Sequence, residues 1–201
     1  MAAAARCRPS LLTQFAPSFA AAYNRLGSMS PLRRIISRGQ IRRRVKELAA
    51  QIRADYSDQR PVFVCVLKGA FVFLADLIRQ VGPPLQVDFI AASSYGMEKT
   101  SKGQITVLKD VTTDIAGRPV ILVDDIIDSG LTLQHLRDHL ASRGPASLRV
   151  CALLARERVL AAGTVIEYLG FPVPEGFVVG YGLDHAEQHR ELPDIYMIEN
   201  E

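Results

Sequence analysis

Asp124, Asp125 and Asp128 follow directly on an apolar run, 119-PVILV-123, and the last of them opens the turn 128-DSGLT-132. Three carboxylates so close together repel one another unless they hold something. The residues after them suggest what. Ser129 and Thr132 offer hydroxyl donors, and Gly130 lets a ligand approach the backbone closely. If 120–123 is a buried strand and about 131–143 a helix, the turn lies at a helix start. Free N–H groups there bind phosphate, and the helix dipole helps. In an open parallel sheet, ligands bind at the carboxyl ends of the strands. The stretch therefore offers a phosphate cup with hydroxyl acceptors two to four residues upstream. A ribose 5-phosphate has both needs. The P-loop pattern G-x-x-x-x-G-K-[ST] and the dinucleotide pattern G-x-G-x-x-G do not follow this strand.

The rest of the chain must position that turn. Ile41, Val45, Leu48 and Ile52 recur at helical spacing, so a helix capped by Ser37 is expected to about Asp55. The run 62-VFVCVL-67 reads as a fully buried strand, 70-AFVFLADLIRQ-80 as a helix ended by Gly82-Pro83-Pro84, and 85-LQVDFIAA-92 as a strand. Residues 94–104 read as a long loop, 105–109 and 148–155 as strands, and the tail after 165 as short strands and turns. Two strand–helix–strand units of about 30 residues predict an α/β fold, a mostly parallel sheet with helices on its faces.

Composition bounds the chemistry. The chain has 201 residues, one domain in size. No apolar run reaches the roughly 20 residues of a membrane-spanning helix. Residues 1–46 carry nine Arg and one Lys and no acid, whereas the remainder carries 14 Lys or Arg against 21 Asp or Glu. An acidic domain is a poor general nucleic-acid binder. Residues 1–30 are rich in Ala, Ser and Arg, and two readings stay open: an organelle transit segment or a plain extension. Cys65 and Cys151 fall inside apolar runs and are expected as buried thiols, which favours a reducing, cytoplasmic setting. His135/His139 and His185/His189 have zinc-compatible spacing but suggest no third ligand.

The stretch around Asp124–Thr132 resembles the phosphoribosyl-pyrophosphate (PRPP) loop of type I phosphoribosyltransferases. The segments 64-VCVLKGAFVFLADLIR-79, 87-VDFIAASSYG-96, 105-ITVLKD-110 and 177-FVVGYGLDHAEQHRELP-193 extend the resemblance, in matching order, to the bacterial-type hypoxanthine-guanine branch. It covers about residues 35–201. It implies a mostly parallel twisted sheet flanked by helices, with a small hood built from N- and C-terminal segments of a domain spanning 31–201.

It also implies roles. Asp128 would be the general base or acid at purine N7. Ser129, Gly130, Leu131 and Thr132 would cup the 5′-phosphate, and Asp124 and Asp125 would hold the ribose hydroxyls, in part through Mg2+. The first acid of that pair is usually Glu in the family. Lys68 and Gly69, in a turn often found in cis form, would bind pyrophosphate, as would Arg190. Ser94 and Tyr95 would begin a lid. Asp184 would be a second magnesium ligand that also faces the base. Phe177 would stack on the base, and Val178 would contact it through its backbone. Arg156 stands where the family places a Lys that donates to the 6-oxo group, which leaves xanthine preference open. The implied partners are PRPP, a 6-oxopurine and pyrophosphate, with a homodimer or homotetramer as the assembly and neither nucleic acid nor membrane. A PRPP-sensing regulator without catalysis is the other class of reading, since the same fold hosts regulators.

Overall fold

The computed structural model describes residues 31–95 and 104–199. The expected lid, apart from Ser94 and Tyr95, and the basic segment 1–30 with Cys7 lie outside the described residues.

Nine strands and four helices are described. In chain order they are β1 (Leu32–Ile36), α1 (Arg38–Asp55), β2 (Val62–Leu67), α2 (Phe71–Val81), β3 (Gln86–Tyr95), β4 (Gln104–Lys109), β5 (Pro119–Ile127), α3 (Leu131–Ala141), β6 (Ser147–Arg156), α4 (Glu157–Ala161), β7 (Tyr168–Val173), β8 (Val178–Val179) and β9 (Ile195–Ile198). Six of the strands form one sheet in the order β4-β3-β2-β5-β6-β7, parallel throughout except for β3 with β4. Strands β1, β9 and β8 form a second, antiparallel sheet that ties the start of the described chain to its end. This is the hood that the resemblance implied.

The central strands carry continuous apolar runs because helices cover both faces. Val62–Val66 of β2 and Val120–Val123 of β5 are all buried. Helix α1 buries Ile41, Val45, Leu48, Ala49 and Ile52, the expected stripe. Ser37 caps it: its side chain accepts from the Gln40 N–H, and Gln40 accepts from the Ser37 N–H.

Two boundaries near the site differ from expectation, and two elements are additional. Ser94 and Tyr95 belong to β3, paired with Ile105 and Gln104, rather than to a loop. Strand β5 runs on to Ile127 beside β6, so Asp124 and Asp125 stand within a strand. Strand β1 and helix α4 were not expected. Their sequences are short and charged, and β1 is formed by pairing with residues more than 150 positions away.

Asp88 fastens the floor of the sheet. It is buried, and its carboxylate accepts N–H groups from Phe89, Thr112 and Thr113 and the Thr112 hydroxyl. Burial alone would raise its pKa, but the donors outweigh burial and hold the carboxyl far below the usual range. A lowered carboxyl stabilises the fold above its unfolded value near 3.9, and that contribution is lost as pH falls toward the folded value. Asp88→Asn should therefore destabilise the protein at pH 7 by roughly 2 kcal/mol or more. In urea titrations the gap should narrow toward pH 3. A constant gap would contradict this reading.

Candidate active site

The carboxyl ends of β2 and β5 carry the chemistry. Past β5 the chain turns at Ser129-Gly130, and Gly130, with φ 78°, adopts the left-handed conformation that suits glycine. Helix α3 starts immediately after, so its first N–H groups point out of the turn. A cavity of about 170 Å³ lies there, lined by Asp124, Asp128, Ser129, Gly130 and Thr132, with Val66, Ile126, Ile127 and Leu133 behind them. The structure thus brings three of the four expected cup residues and two of the three acids to one place, while the side chain of Leu131 is exposed and does not line the cavity. A larger groove of about 870 Å³ lies between α1, α2 and the 181–193 segment, but it holds only Arg190 of the expected site residues. Size does not select the site; the donors and acceptors do.

Asp124 is buried and Asp125 partly so, and each accepts the N–H of the residue that follows it. Burial, then the neighbouring charge of Asp125, pushes Asp124 well above the usual carboxylate range; burial raises Asp125 too, opposed in part by hydrogen bonds and Arg190. A carboxyl raised on folding favours the fold below its unfolded value near 3.9, and this contribution is lost as pH rises through the folded value. Ligand-free Asp124→Asn should therefore melt above the wild type at pH 8. The two melting temperatures should converge near pH 4. A variant that melts lower at both would contradict the assignment.

The turn after β2 closes the other side. The Leu67–Lys68 peptide is cis. A Cβ on Gly69 would lie 1.6 Å from Asp125 Oδ2, and a Cβ on Gly182 would lie 2.2 Å from the Gly69 carbonyl oxygen. Three chain segments therefore stack with no room for a methyl group between them.

The cations expected at pyrophosphate are engaged with acids. Lys68 Nζ pairs with Glu187 at 3.0 Å. Arg190 pairs with Asp184 at 2.7 Å and Glu187 at 3.3 Å, and it donates to the Gly182 carbonyl. Asp184 also accepts the Glu187 N–H. Glu187 was not anticipated. It sits at φ 63° between Ala186 at φ 51° and a further left-handed residue, His189. Lys68, then Arg190, holds its carboxyl below the usual range. Such backbone is uncommon for residues other than glycine and gathers at ligand sites.

Phe177 is 55% exposed, with its ring edge-on to His185 at 5.4 Å, whereas Val178 is buried in β8. Arg156 is buried rather than presented freely. Its Nε donates to Asp128 Oδ1 at 2.8 Å, and its two terminal nitrogens donate to the Pro174 and Gly176 carbonyls. These bonds use three of the five guanidinium N–H donors. Arg158 also reaches Asp128, a contact between residues 30 positions apart that no local pattern marks.

Among the described residues, no group of three His, Cys, Asp or Glu is arranged to hold a metal ion. Asp184 therefore does not join Asp124 and Asp125 in a three-carboxylate site. His139 instead lies 3.0 Å from Asp110. Cys65 and Cys151 are buried free thiols, and burial, reinforced by Asp124 and Asp125, pushes Cys65 up to about 12.

This arrangement agrees with similarity to known proteins. The phosphoribosyl transferase domain family matches residues 35–185. A hypoxanthine-guanine phosphoribosyltransferase of Aquifex aeolicus is 43% identical over 170 residues, covering 84% of this chain and 96% of the relative. The crystal structure of a hypoxanthine-guanine phosphoribosyltransferase from Bacillus anthracis superposes with TM-score 0.77 at 45% identity, over 82% of this chain and 97% of that one. A hypoxanthine-guanine-xanthine phosphoribosyltransferase superposes with TM-score 0.74 at 37% identity, over 84% and 97%. The chain belongs to the phosphoribosyltransferase family, in its hypoxanthine-guanine branch.

Proposed function

We infer that this protein is a purine-salvage enzyme. It transfers the 5-phosphoribosyl group from PRPP to N9 of hypoxanthine, and of guanine, giving the nucleoside 5′-monophosphate and pyrophosphate. The observation that carries the reading is the cup at 128–132, with Asp124 and Asp128 lining one cavity. N–H groups at the start of α3 bind the 5′-phosphate, and Asp124 and Asp125 take the ribose hydroxyls. Positive charge grows on the anomeric carbon as pyrophosphate departs, and the carboxylates favour it. Purine N9 attacks that carbon while Asp128 accepts the N7 proton. Phe177 stacks on the base, and Val178 meets it through its backbone. Lys68, the Gly69 turn and Arg190 receive pyrophosphate once Glu187 yields them.

Magnesium fits the donors present. It is ordinarily held by one or two carboxylates plus substrate phosphates, and a buried, mutually repelling carboxylate pair gains from a neighbouring cation. Asp124 and Asp125 would hold it on the ribose side and Asp184 on the pyrophosphate side. When bound it neutralises the leaving group.

Xanthine is the second reading. It is favoured by Arg156, a planar multidonor cation where the family has an ammonium. The test is a panel of hypoxanthine, guanine, xanthine and adenine with PRPP and Mg2+. Turnover is expected with the first two. Turnover with xanthine alone would replace the reading, and turnover with none would overturn it in favour of a regulator. The family resemblance supports a homodimer or homotetramer, and the two buried free thiols support a cytoplasmic site of action.

A further inference from the structure

Two arginines converge on one oxygen of Asp128. Arg156 Nε lies 2.8 Å from Oδ1 and an Arg158 terminal nitrogen 3.0 Å from the same atom. Arg158 also donates to the Asp128 backbone carbonyl at 3.1 Å. From there both arginines run to a single turn. Arg156 donates to the carbonyls of Pro174 and Gly176, and Arg158 pairs with the side chain of Glu175 between them. That turn immediately precedes Phe177.

We propose that Arg158 is a positioning residue, which with Glu175 holds the Asp128 carboxylate in register with the base-stacking turn at 174–177. The proposal rests on the reading of Asp128 as proton acceptor. With both guanidinium groups on Oδ1, rotation of the carboxylate about its terminal bond is resisted, and Oδ2 is left for the purine N7 proton. Arg156 alone cannot do this, because a single donor leaves the carboxylate free to pivot about that bond. The second donor, approaching from α4 and also bonded to the Asp128 carbonyl, fixes side chain and backbone together. The bridge to Glu175 links the position of the acceptor to the position of the bound base.

Arg158 and Glu175 are 48% and 61% exposed, so a purely structural ion pair between them would contribute little to stability. A positioning role, by contrast, is read in the rate, because small misplacements of a reacting group are costly.

The test is steady-state kinetics on the full chain with Arg158→Ala, Arg158→Lys and Glu175→Gln, at fixed Mg2+. Arg158→Ala should lower kcat about 10-fold and raise KM for the base, with KM for PRPP within about twofold of wild type. Arg158→Lys should recover part of kcat. Glu175→Gln should shift KM for the base in the same direction by less. Thermal midpoints should stay near wild type throughout. Wild-type kcat and base KM in Arg158→Ala would overturn the proposal while leaving the enzymatic reading intact. A loss of rate matched by a drop in thermal midpoint, without recovery by Lys, would also overturn it. An inactive wild type would sink the enzymatic reading and this proposal together.

Discussion

Asp128→Ala should slow turnover on the order of 10²–10⁴-fold, the usual contribution of a positioned general base. Alanine alone would leave the cause open, since it also strips Arg156 of its carboxylate partner, and Arg156 is buried. Asp128→Asn separates the two effects. Its amide oxygen can still accept from Arg156 and Arg158, but the side chain cannot take a proton from N7. If proton acceptance is the role, Asn should be as slow as Ala while melting close to wild type. If Asp128 only fastens Arg156, Asn should recover most of the rate. KM for PRPP should change little in either variant if, as proposed, backbone N–H groups at the start of α3 rather than this carboxylate hold the phosphate.

Gly69→Ala should lower kcat/KM for PRPP by about 10²-fold, the scale associated with a misplacement of about 1 Å. The Cβ would fall 1.6 Å from Asp125 Oδ2 and 2.5 Å from its Cγ, so the turn or the carboxylate must move. Asp125 cannot swing away at no cost, because its other oxygen accepts the Ile126 N–H. The turn cannot rise freely either, because Gly182 packs on the Gly69 carbonyl. One methyl group thus disturbs the ribose side and the pyrophosphate side together. Kinetics of the reverse reaction would reveal this as a raised KM for pyrophosphate. An unchanged kcat/KM in both directions would show that the stack is slack and that the close approach is incidental.

The parts of this molecule that could be read beforehand are those set by local pattern. The stripe of Ile41, Val45, Leu48 and Ile52 and the continuous apolar runs of β2, β5 and β6 identify their elements because periodicity and burial are written along the chain. The turn at 128–132 was legible for the same reason: a small-residue turn between a buried strand and a helix is a local feature. The roles proposed for Phe177, Asp184 and Arg190 were not. They came from resemblance, since nothing in a buried strand or an irregular tail marks them. What neither route supplied depends on distant partners. Strand β1 exists because Leu32–Ile36 meets Ile195–Ile198. The extension of β5 through two aspartates follows from its pairing with β6, where Ile126 and Ile127 face Leu154 and Ala155. Lys68 and Glu187 meet across 119 positions, and Arg158 reaches Asp128 across 30. Arg156 shows the limit most clearly. Its place could be inferred by alignment, yet its binding to the 174–176 turn could not.

The most direct test of the central claim is a crystal structure of the protein with inosine 5′-monophosphate. The 5′-phosphate should sit in the 128–132 turn, with its oxygens about 2.7–3.2 Å from backbone N–H groups at the start of α3 and Asp128 facing N7 of the base. A nucleotide bound in the larger α1–α2 groove, with that turn vacant, would contradict the account.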